Sequence, residues 1–376
     1  MGVTMVVSFV RNGADSMDGA LVKFESEAGF RRLDLTAAVW DIKRGCVRFK
    51  PGAGADKATI QTPVVEVDTG FDHLIVSWNA KTPPGSCLVA YAQARVDGKW
   101  TRWYTMGIWN TEGCPQYRTS VKEQEDEHGT VDTDILKLAK LADAFKVKVE
   151  LCSADGKSYP CLRFLSVNVI DSSLHSVDLP ANKQVWGTEL DVPAFAQISV
   201  EGGRGWCSPT STTMLLNYWS RKLDSPELAV GITENAKGCH DEAWGGTGNW
   251  PFNTARAAEF DGIRAYVTRF VSVSQIERWI AKGVPVIVSL HSSRLRREDS
   301  DSDSGHLMVV RGFASDGDPI FNDPWPRNGK AEDPPREYPI EDLRKVFKRE
   351  DLEYAWLGPN GSWGTVYLIY PECYDM

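Results

Sequence analysis

Trp206-Cys207-Ser208-Pro209-Thr210-Ser211-Thr212-Thr213-Met214-Leu215-Leu216-Asn217-Tyr218-Trp219 is the stretch whose reading decides what the second half of this chain is. The glycines just before it, Gly202, Gly203 and Gly205, demand a loop. Pro209 suits a first helical turn, and Met214, Leu215, Tyr218 and Trp219 recur at helical spacing. Cys207 is therefore expected at a loop-to-helix junction. The partial positive charge of a helix N-terminus favours thiolate over thiol there, and the same junction aims backbone N–H groups at a developing oxyanion. An arbitrary cysteine is more often buried and inert, so the reading needs a partner.

The partner is found in Gly305-His306-Leu307-Met308-Val309-Val310-Arg311-Gly312-Phe313. His306 opens an apolar strand, from which a side chain can project into a cleft while the strand body is buried. Asp316-Gly317-Asp318 turns the chain, and Phe321-Asn322-Asp323-Pro324-Trp325 follows. This reads as a hairpin with His306 on one strand and Asp323 ending the next. A carboxylate so placed holds an imidazole in one tautomer. His291, after the strand candidate from Val284 to Leu290, is a rival base. It leads into an acidic run, Arg297 to Asp303, expected as a surface loop beside the site.

The chain resembles papain-like cysteine peptidases of the bacteriocin-leader-processing group, peptidase family C thirty-nine and its relatives, in a bacterial branch with an N-terminal β domain. The residues carrying the resemblance are Trp206 to Ser211, then Gly246-Thr247-Gly248-Asn249-Trp250-Pro251-Phe252-Asn253-Thr254-Ala255, Gly305-His306-Leu307 and Asn322-Asp323-Pro324-Trp325. Ser77-Trp78-Asn79-Ala80 and Gly98-Lys99-Trp100-Thr101-Arg102-Trp103-Tyr104 extend it into the first half. The resemblance implies a Cys207 nucleophile, a His306 base and an Asp323 orienter. It implies an upstream glutamine for the oxyanion, for which Gln197 is the candidate. Gln197 lies ten positions before Cys207, more than is usual in the wider group, and the glycine-rich insert is expected to loop out. The activity implied is peptide-bond hydrolysis through a thioester, without a cofactor.

Trp206, Asn249 and Trp250 are candidate walls of a substrate groove. Trp250 packing under the glycine-rich loop is the plainer alternative. Cys239-His240-Asp241 looks like half of a metal site, but adjacent residues rarely aim at one point and no CxxC pair or second cysteine/histidine pair has ligand spacing. No metal is expected, and a contribution to a cleft wall fits better.

Working outward, the first half reads as β structure. Phe145-Lys146-Val147-Lys148-Val149-Glu150-Leu151 alternates apolar and polar residues. Shorter runs at Leu74 to Trp78, Leu88 to Val96, Trp103 to Trp109 and Leu162 to Ile170 are separated by turns such as Asp97-Gly98 and Asp155-Gly156. This suggests a jelly-roll-like sandwich over residues 1–180, with Lys122 to Asp134 as a long surface loop. After a linker at Pro180 to Lys183 come helix starts at Asp224-Ser225-Pro226-Glu227 and Ser274-Gln275-Ile276-Glu277, a short helix from Asn253 to Gly262, and strands at Val284 to Leu290, His306 to Phe313 and Gly364 to Tyr370. The expectation for 190–376 is an α+β papain-like domain.

Composition bounds the partners. The chain has 376 residues, 42% apolar and 25% charged, with a formal charge of −9 and no basic run. Nucleic acid and anionic membranes are disfavoured by that charge, and no stretch is long enough to span a bilayer. The first residues do not read as a signal peptide. The compartment is left open: cytoplasmic, or the cell surface if an export signal has been removed. Of the eight cysteines, Cys152 and Cys161 flank a short turn and are the candidates for a bridge, with free thiols as the alternative. Trp78, Trp100, Trp103, Tyr104 and Trp109 suit either core packing or a polysaccharide-stacking face. Trp100 and Trp103 are expected on opposite faces of one strand. The main reading is a peptidase acting on a peptide or protein. The rivals are an amidase or acyltransferase on a cell-wall amide, and a non-catalytic binder acting through the β domain.

Overall fold

The computed structural model describes residues 5–7, 21–52, 54–111, 118–174, 176–298 and 305–374. They fall into two compact units. The first holds the described residues within 1–11, 20–171 and 240–255; the second holds those of 172–239 and 256–376.

The first unit is strand-rich. Its two longest strands, Val65–Lys81 and Ile135–Ser153, pair antiparallel with each other and with Ser86–Val96 and Cys161–Ile170. The alternation in the sequence is realised in Ile135–Ser153, where Phe145, Val147, Val149 and Leu151 are fully buried while Lys146 and Lys148 are half-exposed. Residues 122–134 are not one long loop. Glu125–Asp126 pairs with Gly129–Asp132, which pairs onward with the start of Ile135–Ser153. Asp126 makes the turn by accepting from the backbone N–H groups of His128 (2.9 Å) and Gly129 (3.3 Å).

Residues 240–255 contribute to this unit although they follow Cys207 in sequence. Asp241, fully buried, accepts from Ser120 N (2.9 Å), Ser120 Oγ (3.1 Å), Trp244 N (3.2 Å) and Asn249 Nδ2 (2.9 Å). Phe252 inserts its ring between those of Trp78 and Trp109, with centroids 6.2 and 5.4 Å away. The 240–255 segment thus supplies part of the core of the first unit.

The second unit combines helices with a seven-stranded sheet whose main order is Ile263–Arg269, Thr365–Pro371, Val286–His291, Gly305–Phe313, Pro319–Asn322, Arg344–Val346. Every pairing along it is antiparallel. The three expected strands are present, and Ile263–Arg269 is an edge strand that the sequence reading did not anticipate. Helix starts differ in detail. Pro226–Leu228 is only a 3₁₀ turn, and the helix begins at Ile232. The Val273–Ala281 helix is capped by Ser272, whose side chain accepts from Ser274 N, two residues before the expected cap. Glu277 is therefore free of capping duty. Buried, it accepts from Asn182 N, Trp186 Nε1 and Arg349 Nη1, tying the connecting segment down. The third helix runs Trp250–Ala257, starting and ending earlier than its sequence expectation.

Candidate active site

Cys207 is the first residue of the helix Cys207–Leu223. The glycines ahead of it act by close approach. Gly202 is left-handed (φ +79°), and a Cβ on Gly203 would stand 1.7 Å from the Gln197 carbonyl oxygen. Two 3₁₀ turns, Gln197–Ser199 and Gly203–Gly205, fold the ten-residue separation back on itself. The helix is held to the histidine strand by Ser211 Oγ, which donates to Leu307 O (3.1 Å), and its first turn by Ser208 Oγ against the Tyr367 hydroxyl (2.9 Å).

His306 sits near the start of Gly305–Phe313, opposite Leu290 of the neighbouring strand. Its Nε2 lies 2.7 Å from Asp323 Oδ1, and its ring also hydrogen-bonds Cys207. Asp323 follows the last residue of the Pro319–Asn322 strand, as the hairpin reading expected. The structure thus brings Cys207, His306 and Asp323 into one bonded chain. His291 is paired opposite Gly305, one position along the ladder.

Around Asp323 are groups that the sequence reading missed. The carboxylate is fully buried, and Oδ1 also accepts from Trp325 N (2.8 Å). Oδ2 accepts from Lys345 Nζ (2.6 Å) and Arg296 Nη2 (3.1 Å). Lys345 is buried and also donates to Trp325 O (2.8 Å). It arrives on Arg344–Val346, in register with Phe321 of the adjacent strand. No local pattern announces it, because its role is set by strand pairing.

The protonation pattern follows from this arrangement. Burial pushes the Cys207 thiol up, but hydrogen bonding to His306, its charge, and the backbone N–H groups of Leu307 and Ser208 bring it below its ordinary value. Burial by itself would lower His306. The Asp323 charge and hydrogen bond, then Cys207, raise it instead to about 9. Asp323 is driven well below the usual carboxylate range: burial opposes this, but His306 and Lys345 outweigh it. These shifts act in the direction of a thiolate–imidazolium pair beside an ionised carboxylate.

Gln197 is 2% exposed and touches the residue after Asp323, its backbone N donating to Pro324 O (2.8 Å). Its Nε2 donates to Gly203 O (3.1 Å) and Arg204 O (2.5 Å), bracing the glycine loop, while Oε1 is buried without a partner. Trp206 is half-buried, with its ring against Gly202. Asn249 and Trp250 lie in the first unit. The Asn249 amide donates to Asp241 and accepts from Phe252 N (3.1 Å), and Trp250 N donates to Asp134 (2.6 Å). Their polar groups are thus engaged in holding residues 240–255 in place.

Of Cys239-His240-Asp241, Cys239 is buried at the end of its helix and Asp241 serves the knot described above. Among the described residues no group of three or more His, Cys, Asp or Glu side chains is gathered as a metal set. Of the expected acidic loop, Arg297 pairs with Asp351 (2.6 Å), and residues 299–303 lie outside the described residues. No helix among the described residues is long and apolar enough to cross a membrane. In the first unit Trp78, Tyr104 and Trp109 are core residues. Trp100 and Trp103 share a face, contrary to expectation: Lys146 and Lys148, two apart on one strand, lie 4.0 and 5.2 Å over their rings. The strand breaks between Lys99–Trp100 and Tyr104–Trp109, so alternation does not carry across.

Two family models match the chain one after the other. Residues 30–169 match the family model described as Peptidase C39 N-terminal domain, and residues 189–351 match the Peptidase_C39 like family. No curated protein matches. Among solved structures, the chain is similar to a Bacillus anthracis protein assigned to the C39-like peptidases (16% identity, 48% of this chain and 96% of that one, TM-score 0.33). It also shows similarity to the infectious bursal disease virus Gt strain structure (12% identity, 41% and 33%, TM-score 0.22). A third is the insecticidal crystal protein Cry2Aa (10%, 42% and 22%, 0.21). At these scores none of the three carries an argument.

Proposed function

We propose, from the premise that residues 189–351 are a domain of the Peptidase_C39 like family, that this chain is a cysteine peptidase with Cys207 as nucleophile, His306 as acid and base, and Asp323 as orienter. The observation that carries the reading is the bonded series from the Cys207 thiol through His306 to buried Asp323. The finer fold reading that goes with it is a papain-like α+β catalytic domain, residues 190–376, preceded by a jelly-roll-like sandwich over 1–180.

The Cys207 thiolate attacks the carbonyl carbon of a peptide bond. The oxyanion develops beside the start of the Cys207–Leu223 helix, whose leading N–H groups and dipole favour negative charge. The His306 imidazolium gives its proton to the leaving amine, leaving a thioester on Cys207. Neutral His306 then takes a proton from water, whose oxygen attacks the thioester and releases the acid and the thiol. Asp323 keeps the imidazole in one tautomer and stabilises its charged form. Gln197 reaches the oxyanion only if its amide gives up the Arg204 carbonyl. With that bond kept, it shapes the loop ahead of the nucleophile.

The test is site-resolved alkylation of Cys207 by iodoacetamide across pH, together with hydrolysis of a mixed peptide library. Labelling of Cys207 well below the roughly 8.5 of a free thiol, slowed by His306→Ala, and cleavage abolished by Cys207→Ala are expected. Cleavage that survives Cys207→Ala would sink the assignment.

A further inference from the structure

Cys87 and Cys152 face each other across the strands Ser86–Val96 and Ile135–Ser153, in a register that runs unbroken from Ala144↔Arg95 to Ser153↔Ser86. Directly opposed residues of an antiparallel pair have Cα atoms about 4.5 or 5.5 Å apart. Both spacings fall within the roughly 4.4–6.8 Å over which a disulfide closes without moving backbone. By strand parity the two cysteines share a face with Tyr91 and Glu150, a pair whose own side chains meet at 3.1 Å. The two thiols are in hydrogen-bonding contact. Cys161, the partner expected from sequence for Cys152, is instead in contact with Cys46 from the strand Cys46–Phe49. The turn after Ser153 brings the chain back, but Cys152 lies opposite Cys87 and Lys57, whereas Cys161 lies opposite Arg48 and Lys81.

We propose that Cys87 and Cys152 form an oxidative cross-linking site, closed by exchange with a low-molecular-weight disulfide. Cys152 attacks first. Hydrogen bonding to Cys87, opposed by burial and helped by the Lys57 charge, holds its thiol below the ordinary value. Its thiolate attacks one sulfur of glutathione disulfide, breaking that S–S bond and expelling one glutathione thiolate. Cys87, giving its proton to the departing thiolate, then attacks the Cys152 sulfur and expels the second glutathione. The protein loses two electrons and two protons, and the oxidant leaves as two thiols. The bridge fastens two central strands of the first unit and closes the loop 87–152, which contains the hairpin Glu125–Asp132. A cross-link of that kind stabilises by restricting the unfolded chain and suits an oxidising compartment. It stands independently of the peptidase reading.

The experiment equilibrates the full-length folded chain with glutathione disulfide, alkylates the remaining thiols, and maps peptides without reduction. A linked peptide joining Cys87 to Cys152, and a higher thermal midpoint than the reduced chain, are expected. The assignment is overturned if both cysteines remain alkylatable in the folded chain, or if Cys152 is found joined to Cys161. In Cys87→Ala, with folding checked by circular dichroism, Cys152 is expected to stop at the glutathione adduct; a folded variant without that adduct also overturns it.

Discussion

Replacing Asp323 by Asn removes the charge that holds His306 protonated. Moving the imidazole from 6.5 to about 9 corresponds to about 3 kcal/mol of preference for the charged form. Burial acts in the opposite direction and Cys207 supports the charged form as well, so without the carboxylate His306 falls from about 9 toward its ordinary value. The sign follows from linkage: a raised pKa in the folded state stabilises fully below 6.5, and that stabilisation is lost as pH rises through about 9. The assay is the ratio of Cys207 labelling by anionic iodoacetate to that by neutral iodoacetamide, read across pH by mass spectrometry. The imidazolium draws the anion in, so in the parent chain the ratio drops near pH 9. In Asp323→Asn that drop moves down by about one pH unit or more, since a nearby opposite charge shifts a pKa by about 1–3 units. Asp323→Asn also strands Lys345 and Arg296, so Asp323→Asn/Lys345→Met is the control: it removes the nearer unpaired cation while leaving His306 without its carboxylate. A drop that stays near pH 9 in both variants would refute the electrostatic account of the site.

Lys345→Met alone leaves Asp323 without its closest cation, and a loss of about 3–5 kcal/mol in denaturant unfolding is expected. In the double variant the loss should be smaller than the sum of the two single losses; strict additivity would mean that the pair is not coupled. Gly203→Ala forces a methyl against the Gln197 carbonyl, so the glycine loop must shift. Slower Cys207 labelling at unchanged global fold is the expected result, and unaltered labelling would show that the loop does not set the nucleophile. Phe252→Ala empties the space between Trp78 and Trp109 and should cost about 3–5 kcal/mol in unfolding of the first unit. A change below about 1 kcal/mol would mean that residues 240–255 are not part of that core.

What the sequence determined alone are features whose causes are local. The glycines, Pro209 and the spacing of Met214 to Trp219 place Cys207 at a helix start because loop entry, first turn and helix face are all written between Gly202 and Trp219. The alternation around Phe145 to Leu151 marks a strand because side-chain parity is a property of one chain segment. The hairpin carrying His306 and Asp323 is nearly as local, a turn between two short apolar runs. Tertiary structure alone decided the rest. Lys345 meets Asp323, and Cys87 meets Cys152, through strand registers between segments far apart in sequence. The segment holding Asn249 and Trp250 reads locally as a glycine-rich loop beside the nucleophile. Its place in the first unit is fixed by Asp241 bonding Ser120 and by Phe252 entering an aromatic core, and neither is encoded within the segment itself. Burial and pairing across the chain are cooperative quantities, so no single window of residues contains them.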